Sequence, residues 1–167
     1  GNESAPGKTG GLRGRKRSLY EGGVRVPALL EWPEKITKND TITCPAGTID
    51  YLPTILSLLD IQFPDQRPID GINLIPIITN KGKSRGKAIG FQSNSVASLI
   101  TDRYKIILKK KNNTVELFDI LNDPFEKNDI ALSMVDKASE LKAELNEWIA
   151  SCSESDQGKD YPRITGQ

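Results

Sequence analysis

Hydrophobic positions are sparse over the first 23 residues, where glycine recurs too often for a helix or strand to persist. Val24 to Trp32 is then an apolar run closed by Pro33, the pattern of a short buried strand in a parallel sheet. Arg25 inside that run needs a partner if it is buried. "EKITKNDTITC", residues 34–44, predicts an exposed connection with one short strand. From Ile49 to Ile61 the spacing becomes helical: Ile55, Leu58 and Leu59 share a face, Asp50 is a good N-cap, and Pro53 falls in the first turn. "FPDQRPIDGINLIPIIT" carries three prolines and a glycine, predicting an ordered surface loop with a helical turn near Leu74 to Ile78.

The pattern changes after "NKGKSRGK", residues 80–87, which reads as a linker or hairpin tip. "AIGFQSN", "VASLITD", "YKIILKK" and "TVELFDI" are four β-rich segments separated by short polar breaks. "TDR" and "KKNNT" have turn chemistry, so an antiparallel meander is predicted. Ser133 and Asp136 resemble a capping box. Met134, Ala138, Leu141, Leu145 and Trp148 then recur at helical spacing to about residue 151, predicting an amphipathic helix packed on one face of the meander. From Ser153 onward the chain is polar and reads as a loose tail. The predicted organisation is a first piece at 1–80 and a small sheet-plus-helix unit at 81–167.

Composition narrows the chemistry. The 167 residues carry a net charge of +1, 37% hydrophobic and 27% charged residues, and no run long and apolar enough for a membrane span. Charge is uneven: from Lys81 to Lys111 there are nine Lys/Arg and one acid, and from Glu116 to Asp160 twelve acids and four lysines. The basic strand region "TDRYKIILKKK" is either a solvated sheet edge, kept charged against aggregation, or a face for a polyanionic glycan. There is no histidine, so imidazole chemistry has no donor in this sequence. The two cysteines, Cys44 and Cys152, lack metal-ligand spacing and leave both a disulfide and two free thiols open.

One stretch concentrates candidate chemistry. "GLRGRKRSLYEGGVRVP" places Arg13, Arg15, Lys16, Arg17 and Arg25 among four glycines and one acid, Glu21. A glycine-rich loop can turn successive N–H groups toward an anion, with a lysine supplying a compact charge beside them. A solvated basic turn is the plain alternative. Nucleic-acid binding is disfavoured, because neither an overall positive excess nor interleaved aromatic residues accompany the cluster.

This stretch resembles the sulfatase segment L-R-G-x-K-x-[ST]-x-[WY]-E-G-G-x-R-V-P. Further matches follow in the family's order: "IDYLPTILSLLDI", "IDGINLIPII", "YKIIL" and "ELFDILNDPFEKNDIA". The resemblance implies an α/β fold, the C-terminal part of a sulfatase-type α/β sandwich, with the antiparallel four-stranded sheet and C-terminal helix as its small subdomain. In this family the lysine of the first motif contacts the substrate's sulfate, and that role falls on Lys16. A preplaced cation stabilises charge growing on the sulfate oxygens. Arg15 and Arg17 occupy variable positions of the motif and either select an anionic substrate or face water. Glu21, Gly22, Gly23 and Arg25 read as framework, with Glu21 and Arg25 able to pair.

The family's formylglycine nucleophile arises within C/S-x-[PA]-[ASC]-R. That pentapeptide is not found here: "TCPAGT" around Cys44 lacks the arginine. The resemblance implies a calcium site and formylglycine supplied by sequence upstream of Gly1, and an isolated chain without sulfatase activity. It implies as partners a sulfated small molecule or glycan and the N-terminal catalytic part, and as location the periplasm, the lysosome or the exterior. A phosphate or phosphonate ester hydrolase of the same alkaline-phosphatase superfamily, and a non-catalytic sulfated-glycan-binding homologue, are the competing expectations.

Overall fold

Four antiparallel strands, β1 (Ile89–Gln92), β2 (Val96–Ile100), β3 (Tyr104–Lys109) and β4 (Thr114–Asp119), lie side by side in chain order. This is the predicted meander, seen in a computed structural model that describes residues 7–37, 39–63, 68–79, 82 and 84–160. The register pairs Ile100 with Lys105 and Lys109 with Thr114, so each connection is a short turn. Alternation sends Ala97, Leu99, Ile106, Leu108 and Leu117 to one face. There they meet Ala138, Leu141 and Leu145 of the long helix α4 (Val135–Asp156), which packs across all four strands. Gly90 makes room for this docking: a Cβ on it would fall 2.2 Å from the Trp148 ring.

Helix α4 begins differently from the sequence expectation and runs further. Met134 occupies the N-cap, and the Ser133 hydroxyl donates to the Ile130 carbonyl at 3.0 Å, so no capping box forms. The tight turn at Ile130–Ser133, which also carries the Ser133 N–H to Ile130, occupies the hydroxyl that would have capped the helix. Residues 153–156, expected in a loose tail, form its last turn, and residues 161–167 lie outside the described residues.

The preceding half contains three short helices: α1 (Glu21–Val24), α2 (Tyr51–Leu58) and α3 (Ile75–Ile78). A 3-10 turn at Thr48–Asp50 leads into α2. The strand expected at Val24–Trp32 is not formed. Val24 ends α1, and no described strand lies alongside the following residues to complete a hydrogen-bonded ladder. Val26 is 77% exposed and Leu29 fully so. The short strand expected within residues 34–44 is likewise not formed among the described residues, for the same want of a neighbour. α2 buries none of its residues completely, and Ile55, Leu58 and Leu59 face outward.

Residues 80, 81 and 83 of the expected linker lie outside the described residues, but Arg85 is not linker-like. It is buried, and its guanidinium grips Asp50 with Nη1–Oδ2 at 2.9 Å and Nη2–Oδ1 at 3.1 Å. Asp50 also accepts the N–H groups of Gly47 and Ile72, each at 2.8 Å. Its carboxylate thus stitches three segments together instead of capping α2 through its side chain. Burial alone would raise this carboxyl, yet the Arg85 guanidinium and the two N–H donors hold it below the usual carboxylate range. No helix among the described residues is long and apolar enough to cross a membrane.

Candidate functional site

Residues 12–24 fold back on themselves against the sheet face opposite α4. The Ser18 N–H donates to the Arg15 carbonyl at 2.8 Å, closing a four-residue turn with Lys16 and Arg17 at its two corners. Arg17 takes φ of 78°, the left-handed value that a type II turn requires at its third position. Lys16 is exposed at the other corner, and its side chain makes no hydrogen bond or ion pair with any described residue.

The residues around this turn hold it in place. Gly22 donates its N–H to the Arg13 carbonyl at 2.7 Å. The next glycine, Gly23, lies so close to the returning chain that a Cβ there would stand 2.0 Å from the Ser18 carbonyl oxygen. Any side chain at position 23 would push the turn open. Arg13 stacks over Tyr20, 4.0 Å from the ring centroid, and donates to the Glu126 carbonyl at 3.1 Å. Tyr20 meets Phe118 of β4 edge-on and donates its hydroxyl to Glu116, which Lys109 also contacts at 2.9 Å. Burial and the Glu116 carboxylate push the Tyr20 hydroxyl up to about 12, so it stays a donor at any ordinary pH.

Beneath α1 lies the strongest fastening. Lys105 of β3 is completely buried, and its Nζ sits 2.8 Å from Glu21 Oε1 and 2.9 Å from Glu126 Oε1. Glu126 Oε2 accepts the Glu21 N–H at 2.7 Å, with Glu126 itself in a left-handed turn at φ of 54°. Three charged side chains from distant segments therefore share one buried site, two acids to one ammonium. Burial pushes the Glu126 carboxyl above the usual carboxylate range, against the opposing pull of Lys105. Arg25 adds only a half-exposed contact with Glu21 at 3.8 Å.

Two sequence expectations change here. Lys105 was part of a strand expected at a solvated edge or glycan face, but β3 is an interior strand and its lysine points into the loop's anchor. The expected Glu21–Arg25 pair exists but is secondary to Glu21–Lys105. Sequence reasoning missed Lys105 and Glu126 as a unit. The available signal was that "YKIIL" places one lysine in a strand otherwise suited to burial.

Both cysteines are free thiols. Burial and a hydrogen bond to Asp102 push the Cys44 thiol up to about 11, so it is a poor nucleophile. No group of three or more His, Cys, Asp or Glu among the described residues is arranged to hold a metal ion.

Residues 14–155 match the family model described as "N-sulphoglucosamine sulphohydrolase, C-terminal". The chain belongs to the sulfatases, as their C-terminal region. It is 36% identical over 77 residues to human steryl-sulfatase, covering 46% of this chain and 13% of that protein. Arylsulfatase A of Bos taurus is 39% identical over 87 residues, covering 52% and 17%. Arylsulfatase K of Xenopus laevis is 25% identical over 166 residues, covering 90% and 28%. Among solved structures, Ps i-CgsB in complex with k-i-k-neocarrahexaose superposes with a TM-score of 0.72 at 27% identity, covering 82% of this chain and 31% of that one. The sulfatase region thus spans less than a third of the length of each of these relatives. The matched part includes the four-stranded sheet and α4, together with the loop from Gly14 onward.

Lys16, Arg15 and Arg17, the three expected site residues, fall on one turn. Lys16 and Arg17 are exposed and Arg15 is half-buried. The framework residues of the same motif, Arg13, Tyr20, Glu21 and Gly23, all point inward or backward and fasten that turn to the sheet.

Proposed function

We propose that the complete protein hydrolyses sulfate esters, with a sulfated carbohydrate as substrate, and that Lys16 contacts the sulfate group. The observation that carries this reading is the division of labour within one motif. The residues around the turn are held by the sheet, while Lys16 stands at an exposed corner with no hydrogen bond or ion pair to any described residue. An ammonium fixed in place before charge grows on the sulfate oxygens stabilises the transition state without reorganising. The carbohydrate part of the reading is supported by Ps i-CgsB, a structural relative bound to k-i-k-neocarrahexaose.

The calcium that the sulfatase reading implies does not fit the described residues, which offer no metal-ligating cluster. Residues 1–80 belong, in this reading, to the main α/β domain. The outward apolar side chains of α2 and of residues 26–30 would then be covered by its remaining elements. Residues 81–167 form the small subdomain, in a protein working in the periplasm, the lysosome or outside the cell.

The test has two arms. The isolated chain should hydrolyse no 4-nitrocatechol sulfate, and measurable turnover would refute the need for residues outside it. In the full-length protein, Lys16→Ala should lower kcat/KM for a sulfate ester by about 10²–10³-fold, the loss seen on removing one transition-state donor. An unchanged kcat/KM would remove Lys16 from the site. Faster turnover of phosphate or phosphonate esters than of sulfates would move the protein to that branch of the superfamily.

A further inference from the structure

A cavity of about 130 Å³ lies between the lysine turn and the sheet, lined in part by Arg17, Ser18, Ser93, Ser95, Ile107 and Lys109. We propose that it is a second subsite of the same active centre, taking a neighbouring sugar residue of the substrate through an anionic substituent, sulfate or carboxylate. The proposal rests on the sulfatase reading above, because it takes Lys16 as the contact to the sulfate being cleaved.

Three observations converge on an anionic sugar. The first is charge. Arg17 and Lys109 line the cavity, and Lys109 is paired with Glu116, which Tyr20 and Arg13 also contact, so Arg17 is the lining cation left open. Arg17 makes no hydrogen bond or ion pair with any described residue, so its planar donor fork is open to a sulfate or carboxylate. The second is the lining. Leu19, Val96 and Ile107 give an apolar wall for a pyranose face, and Ser95 adds a polar residue beside it, the Ser18 and Ser93 hydroxyls being engaged by the Tyr20 N–H and the Val96 carbonyl. The third is backbone strain. Arg17 holds φ of 78° where glycine would be unstrained, a conformation that costs stability and is retained at ligand clamps.

Adjacency in the chain gives the arrangement its sense. Lys16 and Arg17 are consecutive corners of one turn, with Arg17 on the cavity. A substrate bearing one sulfate would engage the first corner only, and a substrate bearing a second anionic group one sugar along would engage both. The same geometry separates Arg17 from Arg15: Arg17 lines the cavity and Arg15 does not.

The experiment uses the full-length protein, expressed without formylglycine conversion so that no ester is consumed, and three probes: inorganic sulfate, a monosulfated disaccharide, and the same disaccharide with a second sulfate on the neighbouring sugar. Affinity and amide shifts are read by NMR titration. The disulfated sugar should bind about tenfold tighter than the monosulfated one, a gap of about 1.4 kcal/mol. Only the disulfated sugar should shift the Ser93 and Ser95 amides. Arg17→Gln should erase that advantage and leave monosulfated binding unchanged, whereas Lys16→Ala should weaken both sugars. Arg17→Gly guards against misfolding as the cause: it should raise the melting temperature and still lose the advantage.

Equal affinity for the two sugars, or equal weakening of both by Arg17→Gln, overturns the subsite. Shifts at Ser93 and Ser95 of the same size with inorganic sulfate alone overturn its assignment to a sugar. If Lys16→Ala leaves monosulfated binding intact while Arg17→Gln still erases the disulfated advantage, the role of Lys16 fails and the anionic cavity stands.

Discussion

The two halves of the chain treat their hydrophobic residues in opposite ways. In β1–β4 and α4 the apolar positions close on one another, and Leu117, Ile106 and Leu145 have no exposure at all. In α2 and the run before it they face outward, with Leu29 and Val26 among the most exposed large hydrophobic side chains of the described residues and Leu58 about half exposed. What differs is the availability of a facing layer. The meander is covered by α4, and α2 has no counterpart among the described elements. The halves are nevertheless joined by ionic fastenings buried between them, Asp50–Arg85 and Glu21–Lys105–Glu126. Apolar packing thus builds one half, while paired charges hold the other in register with it.

This contrast can be broken or sharpened by substitution. The largest effect is expected at the junction. Lys105→Met leaves two buried carboxylates without a cation, and chemical denaturation should show a loss of about 3–5 kcal/mol. A loss under 1 kcal/mol would mean that the junction is solvated. Next comes the core: Leu145→Ala should cost about 2–5 kcal/mol in the same measurement, as large-to-small changes in closed cores do. Leu58→Ala, chemically the same change on the outward face of α2, should stay within about 0.5 kcal/mol in the isolated chain. In the full-length protein a much larger cost for Leu58→Ala would show that the missing layer covers it.

The pH dependence of stability separates the two ionic fastenings by sign. Asp50 has a folded carboxyl held below its unfolded value, so its contribution is present above the unfolded pKa and is lost as pH falls through the folded one. Glu126 behaves oppositely. Its folded carboxyl lies above the unfolded value, so the folded state binds the proton more tightly, and stability declines as pH rises through that window. Acidification from neutrality should therefore first raise stability slightly and then, below about pH 4, lower it. Glu126→Gln should abolish the initial rise and leave the acid loss, as followed by thermal melts across the pH series.

Much of the fold was legible because its signals are local. The four β segments, their turn-rich breaks and the spacing of Ala138, Leu141 and Leu145 all act within a few residues, and the structure has them where the pattern predicts. The strand at Val24–Trp32 failed because a strand is defined by its neighbours, and an apolar run cannot state whether they are present. The candidate site was legible in its motif but not in its support. Nothing near Glu21 in sequence indicates Lys105 or Glu126, and Arg85 within a polar, basic stretch looks like solvated linker. Buried ion pairs are made by long-range geometry, so their members carry the composition of surface residues until the fold unites them.

The fastening of the lysine turn also has a history in time. Glu21 meets Lys105 across 84 positions and Glu126 across 105, whereas successive strands of the meander meet across tight turns. Short-range pairs close quickly and long-range ones wait. At a synthesis rate of roughly 5–20 residues per second, about 5–20 seconds pass between the emergence of Glu21 and that of its last partner. Throughout that interval the turn carrying Lys16 is a nascent segment with its anchor unbuilt. Within this region, the turn proposed to meet the substrate is made well before the two residues that lock it in place.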